Sequence, residues 1–161
     1  MSDVPAVGAR VASPDDLPWL TFLADQALEE IAATKGGDVW VRREGRRQPV
    51  EASLREDLEA GDHLVVAGTL DDVVVGYAVA HQEPLPDGDV LGVVTDLFVT
   101  PEGRGVGVGA SMTELLLTWA GEVGCMGVDS VALPGTRETK NFFESFGLTA
   151  RAIVVHRRID R

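Results

Sequence analysis

Residues 93–110 read Val93-Val94-Thr95-Asp96-Leu97-Phe98-Val99-Thr100-Pro101-Glu102-Gly103-Arg104-Gly105-Val106-Gly107-Val108-Gly109-Ala110. A β-branched, apolar run enters a Pro-Glu-Gly turn. A segment with glycine at every second position follows, and then helix-forming sequence to about Gly121. Strand, glycine-rich turn and helix, in that order, build an anion site. Glycines let the backbone turn tightly and aim its N–H groups inward, while the helix N-terminus adds about half a positive charge. The ligand expected here is a phosphate, in the form of a cofactor's pyrophosphate rather than a polymer.

Outside this stretch, length and charge narrow the class. The 161 residues suit one domain with a sizeable core and are too few for two. With 45% hydrophobic and 25% charged residues the composition is that of an ordinary globular protein. A formal net charge of −12 leaves no basic excess to displace counterions, which argues against nucleic acid as the partner. The same acidity suits a cationic or amine-bearing substrate, although solubility alone also accounts for it. The single cysteine, Cys125, excludes an internal disulfide and a cysteine-based metal cluster, and reads as a small buried hydrophobe. His63, His81 and His156 lack metal-ligand spacing, so no metal is expected. The first thirty residues lack the succession of a secretory signal and no apolar run approaches a membrane span, so the expected location is the cytoplasm, with no membrane partner.

The rest of the chain alternates strands and helices. Residues 7–12 form a short apolar strand. Ser13-Pro14-Asp15-Asp16 opens a helix, in which Leu17, Leu20, Ala24, Ala27, Leu28 and Ile31 recur at helical spacing. Residues 35–50, with Gly36, Gly37, Gly45 and Pro49 around four arginines, read as a long loop, hairpin-like at 39–41, and as a lid. A helix over 51–60 stops at Gly61. Strands at 63–69 and 73–81 flank a short turn at Leu70-Asp71-Asp72 and make an antiparallel hairpin. A second turn at 84–89 leads to the strand 90–99. After the glycine segment, Val108, Met112, Leu115, Leu116, Trp119 and Val123 line one face of a helix. A strand at 128–133, a short helix at 137–146 and a final strand at 152–158 complete the pattern.

This layout, with Arg104-x-x-Gly107-x-Gly109 after a strand, resembles the GNAT superfamily of acyl-CoA-dependent N-acyltransferases. Leu97-Phe98-Val99-Thr100-Pro101-Glu102 is similar to the family's strand-end pattern. Asn141-Phe142-Phe143-Glu144-Ser145-Phe146-Gly147-Leu148 resembles its second motif, an aromatic helix closing on glycine and an apolar residue. The resemblance implies one α/β domain over 1–161, with 1–90 as the substrate-side half and 91–161 as the acyl-CoA-binding half. It implies a twisted mixed, mostly antiparallel sheet with a splayed central strand pair, 93–99 and 128–133, and helices on both faces. It further implies that acetyl-CoA is the co-substrate. Backbone N–H groups of Arg104, Gly105, Val106, Gly107, Val108, Gly109 and Ala110 would hold its pyrophosphate. The strand Leu97, Phe98 and Val99 would bond the pantetheine arm, and the N–H of Phe98 or Val99 would polarise the thioester carbonyl.

Acyl transfer to an amine also requires a group that takes the amine's proton, because free amines are mostly protonated at neutral pH. Asp96, a carboxylate in an otherwise apolar strand, is the first candidate base; the alternative is that it anchors a neighbouring loop. Glu83 at the hairpin strand's end is the second, and His81 a proton-shuttle candidate. Relatives in the family often carry a tyrosine, as proton donor to the leaving thiolate, where this chain has Phe143. Thr136 stands where they often have a cofactor-contacting asparagine, and Asn141 lies on the same motif. Tyr77, the chain's one tyrosine, reads as core. Arg42, Arg43, Arg46 and Arg47 are either solvated or contacts for the cofactor's 3′-phosphate or an acidic substrate. Trp19, Trp40 and Trp119 read as core or interface anchors, with Trp40 also placed to line a pocket.

The function expected is therefore N-acetyl transfer from acetyl-CoA to a small-molecule or peptide amine, by direct attack in a ternary complex, with a homodimer allowed by analogy. The alternative is a non-catalytic acyl-CoA-binding sensor or regulatory module. A nucleotide-binding phosphate loop is excluded because the Gly-Lys-Ser/Thr ending is missing. The sequence names neither the amine nor the acyl chain length.

Overall fold

The computed structural model describes residues 3–133 and 137–161. Five strands lie in chain order across one sheet: β1 (Val7–Val11), β2 (His63–Leu70), β3 (Val73–Pro84), β4 (Val90–Val99) and β5 (Gly127–Asp129). The first four are antiparallel and β5 joins β4 in parallel, so the sheet is mixed at one end only. The helices are α1 (Leu17–Ala32), α2 (Gly37–Arg43), α3 (Val50–Glu59), α4 (Val108–Glu122) and α5 (Arg137–Ser145).

Local chemistry explains the joints. Asp71 and Asp72 both hold positive φ, 50° and 63°, the twist that a two-residue hairpin turn needs. The Asp71 carboxylate also accepts the Ala6 N–H at 2.8 Å, which fastens the start of β1. At the entry to α1, the buried Asp16 carboxylate accepts the Ser13 N–H at 2.8 Å and both Arg10 terminal nitrogens at 2.7 and 2.8 Å.

Alternation along the strands sends two sets of side chains to two helical layers. Val65, Tyr77, Val79 and Phe98 pack with Leu20, Leu23, Ala24 and Leu54 of α1 and α3. Leu64, Val66, Ala78, Ala80 and Val94 pack on the opposite face with Val108, Met112 and Leu116 of α4. Helix α4 sits close because β2 carries Gly68 beneath it. A Cβ there would lie 2.7 Å from Met112 Sδ and from Val108 Cγ1.

One irregularity bears on the site. Val79 pairs with Asp96 while Ala80 pairs with Val94, so Thr95 is an extra residue in β4. Such a bulge reverses the parity of the strand. Val94 accordingly faces α4, whereas Asp96 and Phe98 point to the α1–α3 side.

The structure corrects three expectations. Residues 35–50 are not a single loop, and no hairpin forms at 39–41. Gly36, at φ 78°, starts helix α2, with Asp38 in its first turn and Arg42 and Arg43 in its last, complementing the helix dipole. The strand expected over 128–133 stops at Asp129, because β4 and β5 part there and leave it no ladder. The final strand expected over 152–158 is absent. Ile153, Val154 and Val155 are exposed, since β-branched sequence becomes a strand only where an edge receives it. Of the tryptophans, Trp119 packs beside the α4 cluster but Trp19 is exposed on α1.

Candidate functional site

The glycine segment forms the expected turn. After β4, Pro101–Gly103 makes a single tight 3-10 turn, and the chain then passes through Gly105 and Gly107 at φ 80° and 103°. Those angles strain any side-chain-bearing residue. The first hydrogen bond of α4 runs from the Ser111 N–H to the Gly107 carbonyl at 3.0 Å. The N–H groups of Gly107, Val108, Gly109 and Ala110 therefore have no helical acceptor. Among the described residues, no backbone carbonyl takes those of Gly105 and Val106 either. Six consecutive donors with a helix dipole behind them form an anion cradle.

Arg104 differs from the other residues of the expected set. Its N–H turns back to the Pro101 carbonyl at 3.4 Å, and its side chain donates to the Val99 carbonyl at 2.9 Å. The guanidinium then lies 5.5 Å above the Phe98 ring and forks onto Glu30 of α1 at 2.9 and 2.6 Å. Hydrogen bonding to Glu30 holds it above its ordinary pKa. Arg104 thus braces the loop against α1.

The splay lies beside this cradle. β4 and β5 pair at Leu91–Gly127, Gly92–Val128 and Val93–Asp129, and no further. Along residues 94–99, which include Leu97, Phe98 and Val99, β4 has no strand on its β5 side among the described residues. Apart from the Val99 carbonyl, which Arg104 holds, the outward backbone groups there meet no neighbouring strand among the described residues and can receive an extended ligand.

Asp96 stands in a charged network rather than in an apolar pocket. Arg46, only 6% exposed at its side chain, grips it with Nε to Oδ2 at 3.1 Å and Nη2 to Oδ1 at 2.7 Å. The Tyr77 hydroxyl donates to Oδ2 at 2.7 Å and the Thr95 hydroxyl to Oδ1 at 2.7 Å. Arg46 also donates to Ser53 Oγ at 2.9 Å and to Asp57 Oδ2 at 2.5 Å on α3. Burial by itself would lower the Arg46 pKa, but the charges of Asp96 and Asp57 prevail and raise it. Burial, and then the charge of Asp96, push the Tyr77 hydroxyl well above its ordinary range. Tyr77 therefore holds its proton.

Sequence reasoning grouped Arg46 with three exposed arginines and missed its burial. A usable signal existed on α3, where Ser53 and Asp57 stand four residues apart and so share a helix face next to the buried Leu54. Of the other three, Arg42 and Arg43 end α2, and Arg47 pairs with Glu56 at the surface.

The remaining expected residues are dispersed. Glu83 is exposed on β3, pairs in register with Leu91, and lies two residues beyond His81 on the same face. Asn141 is exposed on α5, whereas Phe143 on the same helix is buried, its ring 5.6 Å from that of Phe142. The Phe142 ring covers the start of α4, within 3.5 Å of where a Cβ on Gly109 would lie. Thr136 lies outside the described residues. Trp40 turns its indole toward the interior from α2, where Nε1 has no hydrogen-bond partner among the described residues. Cys125 is half-buried, its thiol pushed up by burial.

Comparisons with known proteins bear on the family and the fold. A family model described as the acetyltransferase (GNAT) family matches residues 25–148. No curated protein matches the sequence. Among solved structures, the BH1408 protein from Bacillus halodurans, in a mutant form, superposes with a TM-score of 0.78 at 19% identity, over 94% of this chain and 98% of that one. The aminoglycoside N-acetyltransferase AAC(6')-Iy, in complex with CoA, gives 0.73 at 17% identity, over 99% and 98%. A glucosamine-6-phosphate N-acetyltransferase from Arabidopsis thaliana gives 0.66 at 18%, over 96% and 99%.

Proposed function

Because this chain belongs to the GNAT acetyltransferase family, we propose that it transfers an acetyl group from acetyl-CoA to a primary amine by direct attack in a ternary complex. One observation carries the reading: a strand edge over 94–99 with no partner strand runs straight into six N–H groups at 105–110 that have no acceptor among the described residues. The residues present fit a pyrophosphate joined to an extended arm. Gly105, Val106, Gly107, Val108, Gly109 and Ala110 would hold the pyrophosphate through their backbone. Leu97, Phe98 and Val99 would bond the arm as a strand bonds its neighbour, with an N–H of Phe98 or Val99 on the thioester carbonyl. Asn141 and Phe143 on α5, with Thr136 before it, would border the far side of the arm.

Bound acetyl-CoA supplies the activated acyl group. The chain orients it, keeps Arg104 as the brace behind Phe98, and presents an acceptor from the α1–α3 side, where Trp40 and the acidic network lie. Asp96 acts there mainly as the counter-charge of Arg46: releasing that pair to take a proton would leave a guanidinium buried opposite Asp57 alone. Two of the solved structures named above act, by their descriptions, on aminoglycosides and on glucosamine-6-phosphate. A small cationic amine is the corresponding class for this acidic chain.

The test is initial-rate kinetics of thiol release over a panel containing neamine, glucosamine 6-phosphate, spermidine and a short lysine peptide. Intersecting double-reciprocal lines are expected for at least one amine. Parallel lines would replace direct attack with a covalent route. A second reading has its own support. Phe143 offers no proton and Tyr77 is locked on Asp96, so neither aromatic position supplies an acid. A chain that binds acetyl-CoA without cleaving it on any amine would be the binding module instead.

A further inference from the structure

Given the acetyl-transfer reading, on which this rests, we propose that Glu30 on α1 is a positioning residue for the reaction. It locks Arg104 onto the Val99 carbonyl, which steadies the end of the open edge, and it keeps that guanidinium off the N–H cradle.

Backbone directions single out Val99. The Thr100 N–H donates to the Val75 carbonyl at 2.8 Å, so it points toward β3. The Val99 carbonyl belongs to the same trans peptide unit and therefore points away from β3, where Arg104 Nε donates to it at 2.9 Å. The Phe98 carbonyl points the other way: it lies 2.9 Å from where a Cβ on Gly76 of β3 would stand. The Val99 N–H, opposite that carbonyl on its peptide unit, is accordingly the donor that faces the open side. In the acetyl-transfer reading the open side receives the thioester carbonyl. Arg104 thus grips the residue whose N–H would polarise it.

Two anchors fix the guanidinium. Nε is on Val99, and Nη1 and Nη2 fork onto the two Glu30 oxygens at 2.9 and 2.6 Å. A forked carboxylate sets the plane of a guanidinium as a single contact does not. Here that plane sits 5.5 Å from the centroid of the Phe98 ring. Glu30 is 74 residues away in the chain, so the fork ties the end of β4 to α1, on the side from which the acceptor is presented. The charges of Glu102 and Glu138 also act on Arg104, but neither carboxylate bonds it among the described residues.

The same pair governs how the loop meets the cofactor's charge. Arg104 directly precedes Gly105, the first of the six donors in the cradle. Neutralised by Glu30, it adds little attraction for a pyrophosphate; released, it would add a charge-assisted partner. The side chains of Arg104 and Glu30 are 43% and 45% exposed, so the pair exchanges partners at small cost. Glu30 therefore lowers affinity for acetyl-CoA while raising the rate of transfer.

The variant E30Q, which removes the charge and breaks the fork at an exposed position, tests this. Calorimetry should show acetyl-CoA bound about fivefold more tightly than by wild type, with a steeper loss of affinity as salt is raised. Amine-dependent thiol release should show a lower KM for acetyl-CoA and a kcat lower by roughly tenfold. A residue that only stabilised the loop would give the opposite sign, weaker binding. E30D, which keeps the charge, should lie between E30Q and wild type. Because Glu30 acts through Arg104, adding E30Q to R104Q should shift either constant by less than about twofold. Weaker acetyl-CoA binding in folded E30Q, an undiminished kcat, or an equal effect of E30Q with and without Arg104 each overturn the proposal. Absence of any acetyl-CoA binding to wild type overturns the acetyl-transfer reading instead.

Discussion

At the scale of single residues, Arg46 does the most. Its guanidinium joins the segment before α3 to α3 through Ser53 and Asp57 and to β4 through Asp96. Replacing it with methionine would leave two carboxylates facing one another without a counter-charge. Breaking a buried pair this way costs about 3–5 kcal/mol, so urea denaturation of R46M should show a loss of that order. R46K, which keeps the charge but loses the planar fork, should fall between. Adding D96N to R46M should restore part of the loss, a coupling that independent sites would not show. Asp16 makes a second residue-scale test. Its pKa is lowered by the Arg10 hydrogen bond first and by the Ser13 N–H as well. A carboxylate with a depressed folded value contributes stability above its unfolded pKa of ~3.9 and loses it as pH falls through the folded value. D16N should therefore cost about 1–2 kcal/mol at neutral pH. Melting curves of D16N should also decline less steeply with acid below pH ~4. Asp96 stood out in the sequence because a charge in an apolar strand is conspicuous. Arg46 did not, because nothing local distinguishes it from Arg42, Arg43 or Arg47; its partners come from α3 and β4, eleven and fifty residues away.

Elements were legible in proportion to how local their causes are. The β2–β3 hairpin, α1 and α4 follow from turn chemistry, a Ser13-Pro14 opening and a continuous apolar face; β3 runs three residues past its expected end, to Pro84, and α1 begins at Leu17 after a 3-10 turn at Pro14–Asp16. Helix α2 was read as loop because its glycines lie at its beginning, where Gly36 takes a positive φ and frees the next seven residues to coil. The bulge at Thr95 and the short β5 have no sequence signature, since both depend on which partner stands opposite. The glycine segment was legible because its conformation is dictated within the segment itself. That makes Gly107 the natural element-scale test. At φ 103° a valine is strained by roughly 1–2 kcal/mol, and its side chain would project beside the unpaired N–H groups. G107V should keep the fold, with a melting temperature lower by about 2–8 °C. It should also weaken acetyl-CoA binding by more than tenfold, measured by calorimetry. Unchanged affinity would remove the loop from the donor site.

For the whole molecule, the sheet does the positioning. Two helices on one face and α4 on the other hold β4 in the middle, while β5 touches it over three pairs and then leaves. The N–H cradle after β4 and the open edge beside it are therefore fixed by one strand. The proposed substrate side is built from α1–α3, of which the sequence showed α1 and α3 but neither α2 nor the contacts among them. Thermal unfolding with and without acetyl-CoA, with ATP as the control anion, tests this account most directly. At about 100 times its Kd, acetyl-CoA should add roughly 2.7 kcal/mol, a rise of about 5–10 °C for a chain of this size, while ATP leaves the transition in place. A transition unmoved by acetyl-CoA, or raised equally by ATP, would contradict the claim that the open edge of β4 and its glycine loop form an acyl-CoA site.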